Sequence, residues 1–231
     1  AALPPLGCDC HVHVFGPYDR FPLDPDRAYT PGLASIGELT DLLSRLGLKR
    51  VVIVQASPQG TDNACLVDAL EQINAAGVLQ ARGVAVIDEK TTESQLHDMH
   101  RAGVRGVRVN LESAGQHNPE VARSLMQRAA DRVASLGWHV QTYTSLPVIA
   151  AMADTLAQLP VPVVIDHFGR ATAARGTEQA GFDQLLQLVR SGRAWVKLSA
   201  AQRISDLPDC EDAKAIDRKS TRLNSSHITI S

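Results

Sequence analysis

Seven short apolar runs, rich in β-branched residues, recur along the chain: Cys8–Phe15, Arg50–Ser57, Ala81–Asp88, Val104–Leu111, Trp138–Thr144, Val161–Phe168 and Ala194–Ala200. Between them the apolar positions return every three or four residues, which predicts amphipathic helices over Ile36–Leu46, Asn63–Ala76, Glu93–Ala102, Pro119–Leu136, Pro147–Leu159 and Phe182–Ser191. Gly47, Gly77, Gly103, Gly137 and Gly192 stand just after five of these segments, where a left-handed helix stop is easiest for glycine. Strand, helix and glycine repeating at roughly 25–35 residues is the signature of parallel βα units. No G-x-G-x-x-G loop follows the first run, which weakens an open dinucleotide-binding sheet. Seven units in succession predict the α/β class and a (β/α)8 TIM barrel truncated after strand 7.

The last segment departs from the pattern. After Lys214 the sequence AIDRKSTRLNSSHITIS is polar where a further helix is due, and a structureless tail is expected. Asp217–His227 resembles the in-frame translation of a common sequencing-adapter oligonucleotide. On that basis residues 1–216 form an incomplete barrel domain and residues 217–231 a non-native disordered tail. His227 then belongs to no site.

Composition narrows the class. The chain has 231 residues, 44% of them hydrophobic, enough for one large core. A formal net charge of −2 gives no electrostatic reason to expect nucleic acid or a membrane surface. No apolar run approaches the roughly 20 residues of a membrane span, and the start lacks the layout of a signal peptide. Cys8, Cys10, Cys65 and Cys210 are few and irregularly spaced, which favours a reducing, cytoplasmic setting. Nothing in the sequence fixes an oligomeric state.

In a barrel the reactive side chains gather at the C-terminal ends of the strands. Asp9, His11 and His13 share one face of the first strand by period two, so D-C-H-V-H aims two imidazoles at the barrel mouth. His167 follows Val163 and Ile165 on one face of the sixth. Each histidine could instead be a satisfied core residue. Gln55 and Ser57 end the second strand, Arg108 and Asn110 the fourth, Gln141 and Tyr143 the fifth. Three arginines just beyond different strand ends, Arg108, Arg170 and Arg203, suit a substrate carrying carboxylates. His97, His100 and His117 are expected at the surface, and Trp138 and Trp195 in packing roles.

DCHVHVFGP, VIVQASPQGTDN, RGVAVID, GVRGVRVN, GWHVQTY, VIDHFGR and WVKLS together resemble the amidohydrolase-2 family of barrel hydrolases. The branch is the one that holds pyrone-dicarboxylate hydrolase, sulfomuconolactone hydrolase and galactarolactone isomerase. The resemblance runs from about Leu6 to about Ser205. It implies a hydrolase of a small carboxylated lactone, with His11, His13 and His167 around the carbonyl oxygen or a metal. Gln55, Ser57, Arg108, Tyr143, Arg170 and Arg203 are then substrate-binding candidates. It also implies a water-activating aspartate at the end of an eighth strand, which this chain lacks. Metal-dependent relatives usually add a ligand from strand five, where Gln141 or Tyr143 stands here. No cofactor is therefore expected; the alternative is one divalent zinc on His11 and His13. The loop NLESAGQ has no second arginine, which counts against pyrone dicarboxylate itself. A lactone isomerase, with a substrate hydroxyl as nucleophile, and an inactive fragment are the other readings.

Overall fold

The computed structural model describes residues 7–224, with side chains through Ser220. Its seven strands stand in chain order in a parallel sheet, the topology of successive βα units that the spacing predicts. The chain divides into two compact units, residues 1–108 and 109–231.

The first unit contains β1 (Cys8–Val12), α1 (Ile36–Leu46), β2 (Arg50–Val54), α2 (Ala64–Ala76), β3 (Gln80–Ala85), α3 (Glu93–Ala102) and most of β4 (Val104–Asn110). Two of its helices start on reciprocal caps: Ser35 with Glu38 for α1, and Thr92 with Gln95 for α3. Val51, Ile53, Ala81 and Val84 on the strands and Leu66, Leu70 and Ile73 on α2 are all buried. Each large side chain so buried contributes about 1.5–3 kcal/mol of transfer free energy. Gly83 is needed there, because an added Cβ would lie 2.6 Å from Leu70 Cδ1. The β1–β2 ladder pairs Asp9 with Val51 and then Val12 with Ile53, so β1 carries one extra residue between those pairs. This bulge interrupts the strict alternation expected from Asp9 to His13.

The second unit contains α4 (Pro119–Val133), β5 (His139–Tyr143), α5 (Leu146–Ala151), α6 (Ala153–Gln158), β6 (Val163–Ile165), α7 (Phe182–Arg190), β7 (Ala194–Val196) and α8 (Lys214–Asn224). The single helix expected over Pro147–Leu159 is broken at Met152, whose φ of −109° leaves the helical range. Met152 itself is fully buried, so the break is packed rather than exposed. The sixth strand stops at Ile165, short of the Phe168 the apolar run suggested. His167, Phe168, Gly169 and Arg170 then take φ of 50°, 57°, 62° and 54°, a left-handed turn in which only one residue is glycine.

The expectation of a structureless tail from Asp217 is corrected as far as Asn224. Those residues continue α8, which packs on α7 and on the turn Ala173–Glu178. Ile216 and Ser220, one helical turn apart, are both buried and give the segment an inward face. The rest of the tail, including His227, lies outside the described residues. No described helix is long and apolar enough to cross a membrane.

Candidate functional site

In the first unit the chemistry gathers at the end of β1. The His11 and His13 rings meet edge to face, with centroids 5.2 Å apart. The bulge sets this arrangement: Asp9 Oδ1 accepts the His11 backbone N–H at 3.2 Å. His13 Nδ1 donates to the Val54 carbonyl at 2.7 Å, which fixes its tautomer and leaves Nε2 as acceptor. Gln55 is buried, but its amide nitrogen is spent on the loop into α2, donating to Gly60 O and Asp62 O. That ties Gln55 to bracing the loop. Ser57, half-buried, opens a short 3-10 turn, Ser57–Gln59. Arg108 lies in β4 and is buried. Cys8, Cys10, Cys65 and Cys210 form no disulfide. The Cys10 side chain's hydrogen bond, with burial, pushes the Cys8 thiol far up.

In the second unit the left-handed turn presents His167 beside Tyr143, ring centroids 5.1 Å apart and nearly perpendicular. His167 Nδ1 lies 2.9 Å from Ser199 Oγ, just past β7. The Arg170 and Arg203 guanidinium carbons each stand 5.8 Å from the centre of the Tyr143 ring. Arg203 Nη1 reaches the Tyr143 hydroxyl at 3.5 Å. Tyr143 thus gathers one imidazole and two cations around a single aromatic ring.

Arg170 is less available than its sequence position implied. One of its nitrogens donates to Glu112 Oε1 at 3.1 Å and another to the Arg203 carbonyl at 3.0 Å. Glu112 comes from the NLESAGQ loop, whose Leu111 and Glu112 amides both donate to the Tyr143 carbonyl. The loop without a second arginine supplies a carboxylate instead.

The sequence reading gave no role to Glu112, Ser199 or Lys197. Lys197 Nζ donates to Gln141 Oε1 at 2.7 Å, and Gln141 Nε2 donates to Asp166 Oδ2 at 3.0 Å. Lys197 Nζ also lies 3.8 Å from Asp166 Oδ1. Gln141 and Asp166 are fully buried. A lysine directly after a short strand was the available signal, since such residues are almost never buried without a partner. His97 and His117 are exposed and His100 is half-buried, in surface roles as expected. Trp138 is fully buried and Trp195 partly so.

The amidohydrolase family model matches residues 8–223, spanning both units. A 2-pyrone-4,6-dicarboxylate hydrolase of Comamonas testosteroni is 37% identical over 88% of this chain and 65% of its own length. A 4-sulfomuconolactone hydrolase of Hydrogenophaga intermedia is 33% identical over 94% of this chain and 70% of its own. The chain therefore spans about two thirds of the length of these relatives. Among solved structures, a Pseudomonas putida protein named as a candidate 2-pyrone-4,6-dicarboxylic acid hydrolase superposes with a TM-score of 0.78 at 33% identity. That superposition covers 97% of this chain and 79% of the other.

Proposed function

The chain belongs to the amidohydrolase family, and from that premise we propose that it serves the hydrolysis of a small carboxylated lactone. The observation that carries the reading is the grouping on Tyr143: an imidazole for the carbonyl beside Arg203, a cation for a carboxylate. In this reading Arg203 takes the substrate carboxylate and so sets the ring's orientation, and Arg108 is a separate candidate for a carboxylate. His167 serves the lactone carbonyl, whose developing oxyanion is stabilised by preset donors, and His11 and His13 are the catalytic candidates of the first unit. Gln55 and Ser57 line the binding region at most through their loop; Arg170, already held by Glu112, acts on Tyr143. The attacking water is activated by an aspartate expected on an eighth strand.

The donor set speaks to the metal question. A zinc centre of this kind needs three good protein ligands with one position open. His13 has Nδ1 engaged by the Val54 carbonyl, and Gln141 on strand five has its amide engaged at both ends by Asp166 and Lys197. His11, His13 and Gln141 as a ligand set fit zinc poorly, and we read the chemistry as needing no cofactor. The alternative is one zinc held by His11 and His13, whose ring centroids stand 5.2 Å apart. One tightly bound equivalent of zinc per chain, by elemental analysis, overturns the metal-free reading.

A cytoplasmic setting agrees with four cysteines that form no disulfide. We also hold that residues 217–231 are foreign to the natural domain; the sequence of the source gene past Ile216 decides this.

The deciding experiment uses the protein encoded by the complete source gene, a carboxylated lactone and water enriched in oxygen-18. Hydrolysis places one labelled oxygen in the product carboxylate. An isomerised lactone without label assigns the chain to ring exchange by a substrate hydroxyl, and no turnover of any carboxylated lactone ends the proposal.

A further inference from the structure

Lys197, Gln141 and Asp166 come from three neighbouring strands and close a small ring of ammonium, amide and carboxylate. The register explains their meeting: Gln141 pairs with Val164, and Val164 with Trp195, while Asp166 and Lys197 each follow two residues after those partners on the same side. Placing an aspartate at zero exposure is expensive unless a cation and a donor compensate it. Lys197 supplies the cation, with a side chain only 12% exposed, and Gln141 supplies the donor.

The same lysine acts through its backbone. Its N–H donates to the Ile165 carbonyl at 2.8 Å, and its carbonyl accepts the Phe168 N–H at 3.0 Å. Asp166 is tied on the other side, its N–H donating to Thr142 O at 2.9 Å. Lys197 therefore grips the chain on both sides of His167, the first of four consecutive left-handed residues. Three of the four are not glycine, and each costs about 1–2 kcal/mol relative to right-handed backbone. Such a turn persists only where its surroundings over-determine it.

We propose that Lys197 is a positioning residue: through Gln141 and Asp166 it holds the left-handed turn that presents His167. The proposal rests on the lactone-hydrolase reading only for its effect on turnover; the grip on the turn stands apart from that reading.

The test compares Lys197→Met, Lys197→Arg and Gln141→Met in the protein from the complete gene, by hydrogen exchange and by kinetics. In Lys197→Met, exchange at the Phe168 and Gly169 amides rises about tenfold or more, while peptides in α4 keep their protection. Lys197→Arg restores most of that protection, and Gln141→Met falls between. On a carboxylated lactone, Lys197→Met lowers kcat roughly tenfold or more with KM changed less than about threefold, because His167 is displaced while the arginines that hold the carboxylate stay in place. Unchanged exchange at Phe168 and Gly169 in folded Lys197→Met or Gln141→Met overturns the proposal, whatever the activity. Equal exchange gains throughout the second unit reduce Lys197 to a general stabiliser and also overturn it. If the parent protein turns over no lactone, the functional reading fails while the exchange result still decides the role of Lys197.

Discussion

Glu112 holds Arg170 at 3.1 Å, and both side chains keep partial exposure, 20% and 30%. The pair sits beside Tyr143 and cancels one of the two cations around that ring. Arg203 is left with its guanidinium on the ring's hydroxyl. Releasing Arg170 should therefore change which acids the site accepts. Glu112→Gln is expected to raise kcat/KM for a dicarboxylated lactone over a monocarboxylated one by roughly fivefold, the upper range for a partly exposed pair. Competition assays with the two substrates measure the ratio; an unchanged ratio means that Arg170 is too distant from the bound acid.

Arg108 is buried in β4 and is expected to meet the substrate carboxylate. Arg108→Met should cut turnover of a carboxylated lactone on the order of 10–100-fold, the range for losing a hydrogen bond to a charged group. The loss on the corresponding neutral ester should be far smaller. Equal losses on both substrates would make Arg108 a support of the fold.

Gly169 combines a φ of 62° with close neighbours: an added Cβ would lie 2.9 Å from Leu185 Cδ2 and 3.3 Å from Ile149 Cδ1. Gly169→Ala should destabilise by about 2 kcal/mol and lower Tm by roughly 4–8 °C for a chain of this size. Gly137→Ala, at a similar φ but with open space around it, should cost about 1 kcal/mol. Thermal melts of the two variants separate crowding from backbone strain.

Burial, with help from the Arg105 and His97 charges, holds the His100 imidazole below its ordinary 6.5. The folded chain thus binds this proton less readily than the unfolded one. The stability it retains is fully present above pH 6.5 and is lost as pH falls through the lowered value. His100→Asn should flatten the fall in Tm between pH 7 and pH 5. An unaltered slope would assign that fall to other groups.

Helices with strong ends were legible from the sequence. Ile36–Leu46 and Glu93–Ala102 have the predicted bounds, because Ser35 and Thr92 cap their starts and Gly47 and Gly103 stop them with φ of 70° and 114°. The break at Met152 was not legible: a buried methionine continues the apolar stripe whether or not the helix does. The end of the sixth strand was missed for a similar reason, since Phe168 stays buried after the chain has turned left-handed. Within the site, Tyr143, Arg203 and His167 could be picked out as strand-end residues, and they do meet. Lys197 stood out only as a lysine just past a short strand; its partners Gln141 and Asp166 were not legible, because they are 56 and 31 positions away and only the strand register joins them. The tail from Asp217 to Asn224 reads as polar coil, yet it continues a helix whose inward face is formed by Ile216 just before it and Ser220 within it.

The left-handed turn from His167 to Arg170 constrains how such a site can diversify. The Phe168 N–H is tied to the Lys197 carbonyl and the Gly169 N–H to Asp166, itself bonded to Thr142 of β5, so the segment has no slack in length. One residue more or fewer would rotate every following side chain out of place. The Glu112–Gln116 loop differs: it is held to Tyr143 at its start and closes on itself from Gln116 to Leu111, with Ser113, Ala114 and Gly115 exposed. Substrate preference in descendants of this protein should thus drift by insertion and deletion in that loop, while the histidine turn changes only by substitution.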